Sequence, residues 1–294
     1  MRIATIKTSQ GICLGLKTNT GAVRSLLQDE SRWPGGLLEL LREGPDALKN
    51  AERMLAAAPE IDPAEIAFLP VLPAPEKIIC VGLNYRDHSA ESGFKQPDYP
   101  TLFPRFASSL VGHGAAIVRP LASDTLDFEG EIAAIVGKGG RHIPRATALN
   151  HIAGYTLFND ASVREYQFKA PQWTVGKNFD GTGPFGPWFV SADELPSAIR
   201  GMRLVTRLNG NVVQSASTDE LVFDIATLVS VISDAITLAP GDVIVSGTPS
   251  GVGHARTPRL YMRAGDVCEV EVDGIGTLSN PIEDEVVSSE IAAA

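Results

Sequence analysis

The chain is poor in the features that mark several protein classes. No run of Lys and Arg occurs anywhere in its 294 residues, and 35 Asp and Glu outweigh 25 Lys and Arg, which excludes the clustered basic surface a nucleic-acid partner would need. No uninterrupted apolar stretch approaches the ~20 residues of a membrane span. The opening Met1-Arg2-Ile3-Ala4-Thr5-Ile6-Lys7 puts charge where a secretion signal needs apolar residues, so a cytoplasmic enzyme is expected. Cysteine is scarce: Cys13, Cys80 and Cys268 are odd in number and lack CxxC spacing, which argues against a disulfide framework and leaves them as buried small hydrophobes. There is no internal repeat or low-complexity tract. The glycine-rich segment Gly247 to Gly253 has neither the Gly-Lys-Ser/Thr of a P-loop nor the GxGxxG pattern, which makes a nucleotide-binding reading of it weak.

What is present is a folded composition, 44% hydrophobic against 20% charged, with length enough for about two domains at roughly 150 residues each. Residues 1 to about 28 read as short strands, Arg2 to Lys7, Gly11 to Leu16 and Ala22 to Leu27. Two helices follow, near Leu37 to Arg42 and from Asp46, the second with Leu48, Ala51, Met54 and Leu55 at helical spacing. Five prolines between Pro59 and Pro75 suit an extended connection, which places a boundary near residue 72: a small N-terminal domain, 1–72, and a larger one, 73–294. The larger is strand-rich, with strands expected at Lys77 to Gly82, Leu126 to Val136, Gly154 to Phe158, Leu204 to Leu208, Asn211 to Gln214, Asp242 to Ser246 and Val267 to Val272. Asn209-Gly210 and Asp273-Gly274 are type I′ hairpin signals. One helix interrupts the strands, with Asp224 as its N-cap.

The segment Leu126 to Val136 carries the most chemical information. Read as one strand, it puts Phe128, Ile132, Ala134 and Val136 on one face and Glu129 and Glu131 on the other, their α-carbons about 6.6 Å apart. Two parallel carboxylates in a half-buried sheet repel unless protons or a cation intervene. A solvated strand face is the plain alternative, against which Gly130 and the apolar flanks speak. Asp160 ends the apolar run from Gly154 and becomes the third oxygen ligand. An all-oxygen set favours Mg²⁺ or Mn²⁺ over Zn²⁺ and leaves positions open for water or a chelating 2-oxo acid. His88 and Glu91, three apart after a strand, share a face if helical, so that Glu91 orients an imidazole able to take a proton from water. Gly247 to Gly253 could cradle an anion with backbone amides. Arg105, Arg164 and Lys177 accompany these segments; singly, each reads as a surface charge. His113, His142, His151 and His254 show no metal spacing and read as structural.

Taken in chain order, N-Y-x-x-H-x-x-E at 84–91, E-x-E at 129–131, N-D-x-S-x-R-x-x-Q at 159–167, W-T-x-G-K at 173–177 and G-T-P-x-G-V-G at 247–253 resemble the fumarylacetoacetate hydrolase family over roughly residues 75–285. The resemblance implies an α+β, β-rich fold, a mixed β-roll catalytic domain with a small N-terminal α/β domain, usually dimeric. It implies Glu129, Glu131 and Asp160 as ligands for Mg²⁺ or Mn²⁺, His88 and Glu91 as the water-activating dyad, and Lys177 as the catalytic lysine. Arg105, Arg164, Gln167 and Thr248 fall on the substrate side. Two positions depart from the family pattern: arginine at 105, commonly lysine in smaller members, and Arg164-Glu165 where Arg-Asp is usual. The implied activity is hydrolysis of a carbon–carbon bond in an anionic 2,4-dioxo acid of acylpyruvate type. Decarboxylation or keto–enol isomerisation of a related dicarboxylic acid is the alternative, and a non-catalytic metal-binding scaffold is the reading from another class.

Overall fold

The computed structural model describes residues 1–27, 30, 33–87 and 98–286, so His88 and Glu91 lie outside the described residues. Strands dominate, and the β-rich α+β fold expected from the sequence forms. The main sheet has twelve strands. Its path runs through Val23–Leu27, Gly11–Lys17 and Arg2–Thr8 into Gly183–Ser191, Ile152–Asn159, Gly130–Val136, Val243–Val245, Ile78–Gly82 and Thr101–Arg105. Along these strands only the pairing of Val243–Val245 with Ile78–Gly82 is parallel, which makes the sheet mixed. A second sheet of five strands is ordered Asn211–Ser217, Arg203–Leu208, Val267–Val272, Gly276–Asp284, Ile117–Arg119.

Every residue of Gly130–Val136 is buried, because the strand is covered on both faces. Ile132, Ala134 and Val136 pack with Tyr155 and Leu157, with Leu204, Val270 and Val272 of the second sheet, and with Leu228 and Ile232 of the helix Ile225–Ala235. Ala133 and Ile135 pack the other way, with Phe158 and Phe185 and with leucines of the helices Leu37–Glu43 and Pro45–Ala56. Each such buried aliphatic contributes on the order of 1.5–3 kcal/mol relative to exposure. The sheet runs across residue 72: Arg2 and Ile3 pair with Val190 and Phe189, and both core layers draw residues from either side of that point.

The strand expected from Leu126 to Val136 is broken. Leu126–Asp127 pairs with Ser162–Val163, whereas Gly130–Val136 pairs with Ile152–Asn159. At the break the Asn159 side chain accepts the Glu129 amide N–H at 2.9 Å, and the Asp160 N–H donates to the Glu129 carbonyl at 2.8 Å. Phe128 therefore turns away from Ile132 into a separate cluster with Leu126, Val163 and Met262. Asn209-Gly210 adopts the expected positive φ at both positions, 52° and 76°. At Asp273-Gly274 only the glycine does, with φ 83°, and Ile275 N–H closes on the Val272 carbonyl at 3.0 Å, a three-residue connection rather than type I′. Asp224 caps its helix as expected, accepting the Thr227 N–H at 2.8 Å.

Candidate metal centre and substrate cavity

The strand break builds the acidic cluster. Glu129 and Glu131 flank Gly130 at the start of Gly130–Val136, and Asp160 directly follows the end of Ile152–Asn159. The antiparallel register, Gly130 opposite Asn159, brings those ends together. One carboxylate oxygen of each of Glu129, Glu131 and Asp160 lies within 4.8 Å of the others, and the three side chains are buried. Burial, then the charges of Asp160 and Glu129, push the Glu131 carboxyl well above its usual range, against the opposing pull of Lys177 and the Gly247 N–H. Gly247, at φ 103°, turns the chain out of Val243–Val245 so that this N–H reaches Glu131. A carboxylate held in so unfavourable a place, beside two others and with no sulfur or imidazole in the set, fits a hard divalent cation.

Three buried cations counter the cluster. Lys177 Nζ donates to Glu129 Oε2 at 2.7 Å and Asp160 Oδ2 at 2.6 Å. Burial alone would lower its proton affinity, but Asp160 and Glu129 outweigh that and raise it. Arg164 pairs with Asp127 through Nε at 2.8 Å and with Glu129 through Nη1 at 2.6 Å, and Nη1 also donates to Gln167 Oε1 at 2.8 Å. Arg105 sits elsewhere than expected: its guanidinium binds Asp160 Oδ1 at 2.6 Å, the Ala161 carbonyl at 3.2 Å and Thr182 Oγ1 at 2.9 Å, and its side chain is fully enclosed. It lies behind a proposed metal ligand and is absent from the cavity wall, so its geometry is that of a group orienting Asp160.

A cavity of about 350 Å³ opens onto the cluster, lined by Glu129, Glu131, Lys177, Arg164, Gln167, Thr248 and His254 together with apolar Val81, Phe103, Phe168, Trp173 and Val252. The structure thus joins seven of the ten sequence-indicated residues at or around one space: the triad, Lys177, Arg164, Gln167 and Thr248. Thr248 donates to the Gly130 carbonyl at 3.0 Å and accepts from Gln214 Nε2 at 2.8 Å, so its hydroxyl is tied to the residue between the two glutamates.

Three positions at the site escaped the sequence reading. Asp127, wholly buried, accepts from the backbone N–H of Phe128 (2.9 Å), Gly253 (2.8 Å) and His254 (2.9 Å) besides Arg164; its period-2 spacing from Glu129 was the available signal. Gln214 holds the Gly130 N–H at 3.0 Å and the Pro249 carbonyl at 2.8 Å, with no signal in the sequence. His254, read from the sequence as structural, lies on the cavity wall.

The family model for the fumarylacetoacetate (FAA) hydrolase C-terminal region matches residues 77–283. The chain belongs to the fumarylacetoacetate hydrolase family. Within it, the chain is 38% identical to human mitochondrial oxaloacetate tautomerase FAHD2A over 273 residues, 92% of this chain and 87% of that one. The solved fumarylacetoacetate hydrolase of psychrophilic Exiguobacterium antarcticum superposes with a TM-score of 0.83 at 33% identity, covering 97% of this chain and all of the other. Maleylpyruvate hydrolase of Sphingobium sp. SYK-6, solved with manganese(II) and pyruvate, superposes with a TM-score of 0.79 at 25% identity, covering 97% and 100%. Family members thus include tautomerases and hydrolases, one of them a manganese complex. Among the described residues no helix is long and apolar enough to cross a membrane.

Proposed function

We propose that this fumarylacetoacetate hydrolase family member is a Mg²⁺- or Mn²⁺-dependent tautomerase that interconverts the keto and enol forms of oxaloacetate or a close 2-oxo dicarboxylic acid. The observation that carries this is the contact of Lys177 with the buried triad inside one cavity. Chelation plus one proton-bearing group is a complete apparatus for tautomerisation, which consumes no water. The 38% identity to an oxaloacetate tautomerase over most of both chains supports the same reading.

Glu129, Glu131 and Asp160 would hold the cation, which when bound polarises the substrate's 2-oxo and 1-carboxylate oxygens. Lys177 Nζ carries the proton exchanged at C3, at the edge of the triad. Arg164 and Gln167 bind substrate oxygens, and the apolar wall of Val81, Phe103 and Trp173 limits water. With all four buried carboxylates ionised, Asp127 included, Arg105, Arg164, Lys177 and a bound divalent cation leave the cluster one positive charge, suited to an anionic substrate. The proposal includes a homodimer, read by sedimentation. Added Mg²⁺ or Mn²⁺ should accelerate decay of enol-oxaloacetate absorbance by the metal-stripped protein; a rate equal to that of free metal ion overturns the assignment.

Hydrolysis of an acylpyruvate is the second reading, favoured by the His88-x-x-Glu91 spacing and by likeness to a maleylpyruvate hydrolase. In it His88, oriented by Glu91, deprotonates water for attack on the C4 carbonyl while Lys177 stabilises the oxyanion. Turnover in H₂¹⁸O separates the two, since label in a released carboxylate demands hydrolysis. In that reaction His88→Ala loses on the order of 10²–10⁴ in kcat with metal affinity retained.

A further inference from the structure

Among the described residues, His254 is the titratable side chain on the cavity wall to which the chemistry above gives no task. It is held from three sides. Its backbone N–H donates to the buried Asp127 at 2.9 Å, its ring Nδ1 lies 2.7 Å from the Tyr261 hydroxyl, and its ring rests on Phe168 with centroids 5.3 Å apart and planes 40° apart. Nothing about a solvated loop histidine calls for such restraint. Nε2, the ring's remaining polar atom, makes no hydrogen bond among the described residues.

The same wall presents a second polar atom in need. Arg164 is buried, its Nε and Nη1 are satisfied, and its Nη2 has no partner. A buried donor left unpaired is costly, and the residue that carries it lines the cavity. Burial, then the charges of Arg164 and Arg259, lower the proton affinity of His254. With the Tyr261 hydroxyl donating to Nδ1, the neutral ring carries its proton on Nε2. The ring N–H and the Arg164 guanidinium are then the donors of this side, the complement of a carboxylate, an acceptor with no proton to give.

We propose that His254, positioned by Tyr261 and Asp127, is the specificity residue that receives the second carboxylate of a 2-oxo dicarboxylic acid, sharing it with Nη2 of Arg164. The inference rests on the reading that the acidic cluster takes the opposite, chelating end of the substrate. It makes the protein selective for dicarboxylates over 2-oxo monocarboxylates of the same skeleton.

L-Malate and L-lactate both offer a hydroxyl and a carboxylate for chelation and differ by one distal carboxylate. Titration calorimetry on the Mn²⁺-loaded protein should show malate binding more tightly than lactate. His254→Leu should weaken malate about 10- to 30-fold while lactate changes less than twofold. His254→Gln, which can still donate, should recover part of the loss, and Tyr261→Phe should show a smaller loss of the same selectivity. Equal weakening of both ligands, or no change in either, overturns the inference, because a merely structural ring would move them together. Should His254→Leu fail to fold, the wild-type preference and the Gln and Phe variants decide the matter. A malate preference in a protein that does not turn over oxaloacetate supports the specificity residue while the tautomerase reading falls. Oxaloacetate turnover without a malate preference does the reverse.

Discussion

The cavity has two walls built on opposite principles. The acidic wall stands on two almost wholly buried strands of the main sheet, Gly130–Val136 and Ile152–Asn159, and its three carboxylates are fixed by main-chain register. The basic wall, Arg164, Gln167 and His254, stands on short helical turns, Arg164–Gln167 and Gly253–Ala255, joined through the buried carboxylate of Asp127 and bordered by a half-exposed Phe168. Rigid placement suits a cation whose ligand distances must be held closely. Placement on short turns leaves that wall freer to vary. The comparison teaches where change should be tolerated: substrate choice on the basic wall, and almost nothing on the acidic one.

The largest effects should come from the acidic wall. Glu131→Gln keeps the shape and the acceptor for Gly247 but removes a ligand charge, and should lower Mn²⁺ affinity by more than about 10²-fold, since even groups one step removed from a metal are worth 10–100-fold; calorimetry reads it directly. Lys177→Met should reduce tautomerase kcat by on the order of 10²–10⁴, yet leave Mn²⁺ affinity intact or tighter, because it withdraws a cation that shares Glu129 and Asp160. Weaker Mn²⁺ binding in Lys177→Met would show that the lysine is part of the ligand scaffold, and the division between the walls would blur.

Asp127→Asn strikes the joint between the walls. It removes one carboxylate partner of a buried arginine and sets an amide among donors, a change that costs about 3–5 kcal/mol when a buried ion pair is broken. Urea unfolding should report a loss of that order, and a loss under 1 kcal/mol would mean that Glu129 alone secures Arg164. A pH series separates the walls further. Glu131 is pushed well above 4.5 in the fold, so its contribution to stability is full below that ordinary value and is lost as pH rises through the folded one. The metal-stripped protein should therefore melt progressively lower than Glu131→Gln as pH rises from about 4.5 to 8, and Mn²⁺ should close the gap. Parallel melting curves across that range would contradict the strain assigned to the acidic wall.

Much of this was legible in the sequence, for reasons that differ by residue. The triad could be read because carboxylates two apart on an apolar strand are an electrostatic contradiction that only a cation or protons resolve. Lys177, Arg164, Gln167 and Thr248 were legible through spacing shared with a family rather than through their own chemistry. Arg105 was misplaced because spacing tells which residues gather but not which side of a carboxylate they take. The place of His254 on the cavity wall was not legible because it depends on Tyr261 and Phe168, partners brought to it by folding. Among the strands that went unread, Thr101–Arg105, Gly183–Ser191 and Gly276–Asp284 each contain proline (Pro104, Pro184, Pro187, Pro281), which argues locally against a strand; tertiary pairing overrides it.

The smallest effect tests why glycine separates the two glutamates. A β-carbon built on Gly130 would meet Thr206 Oγ1 at 2.1 Å and both γ-carbons of Val270 at 3.2 Å, so the second sheet packs directly on the acid strand. The residue is also clasped by polar groups, its N–H by Gln214 and its carbonyl by Thr248, which leaves it little room to shift. Gly130→Ala should therefore cost about 1–3 kcal/mol by overpacking. Thr206 Oγ1 is buried without a hydrogen-bond partner, so Thr206→Ala alone should be mild. The double variant should be less destabilised than the two single losses added, a coupling that a mutant cycle measures. Strict additivity would mean that Gly130 serves the backbone turn between Glu129 and Glu131 rather than the approach of the second sheet. The acidic wall would then owe its rigidity to its own strand alone.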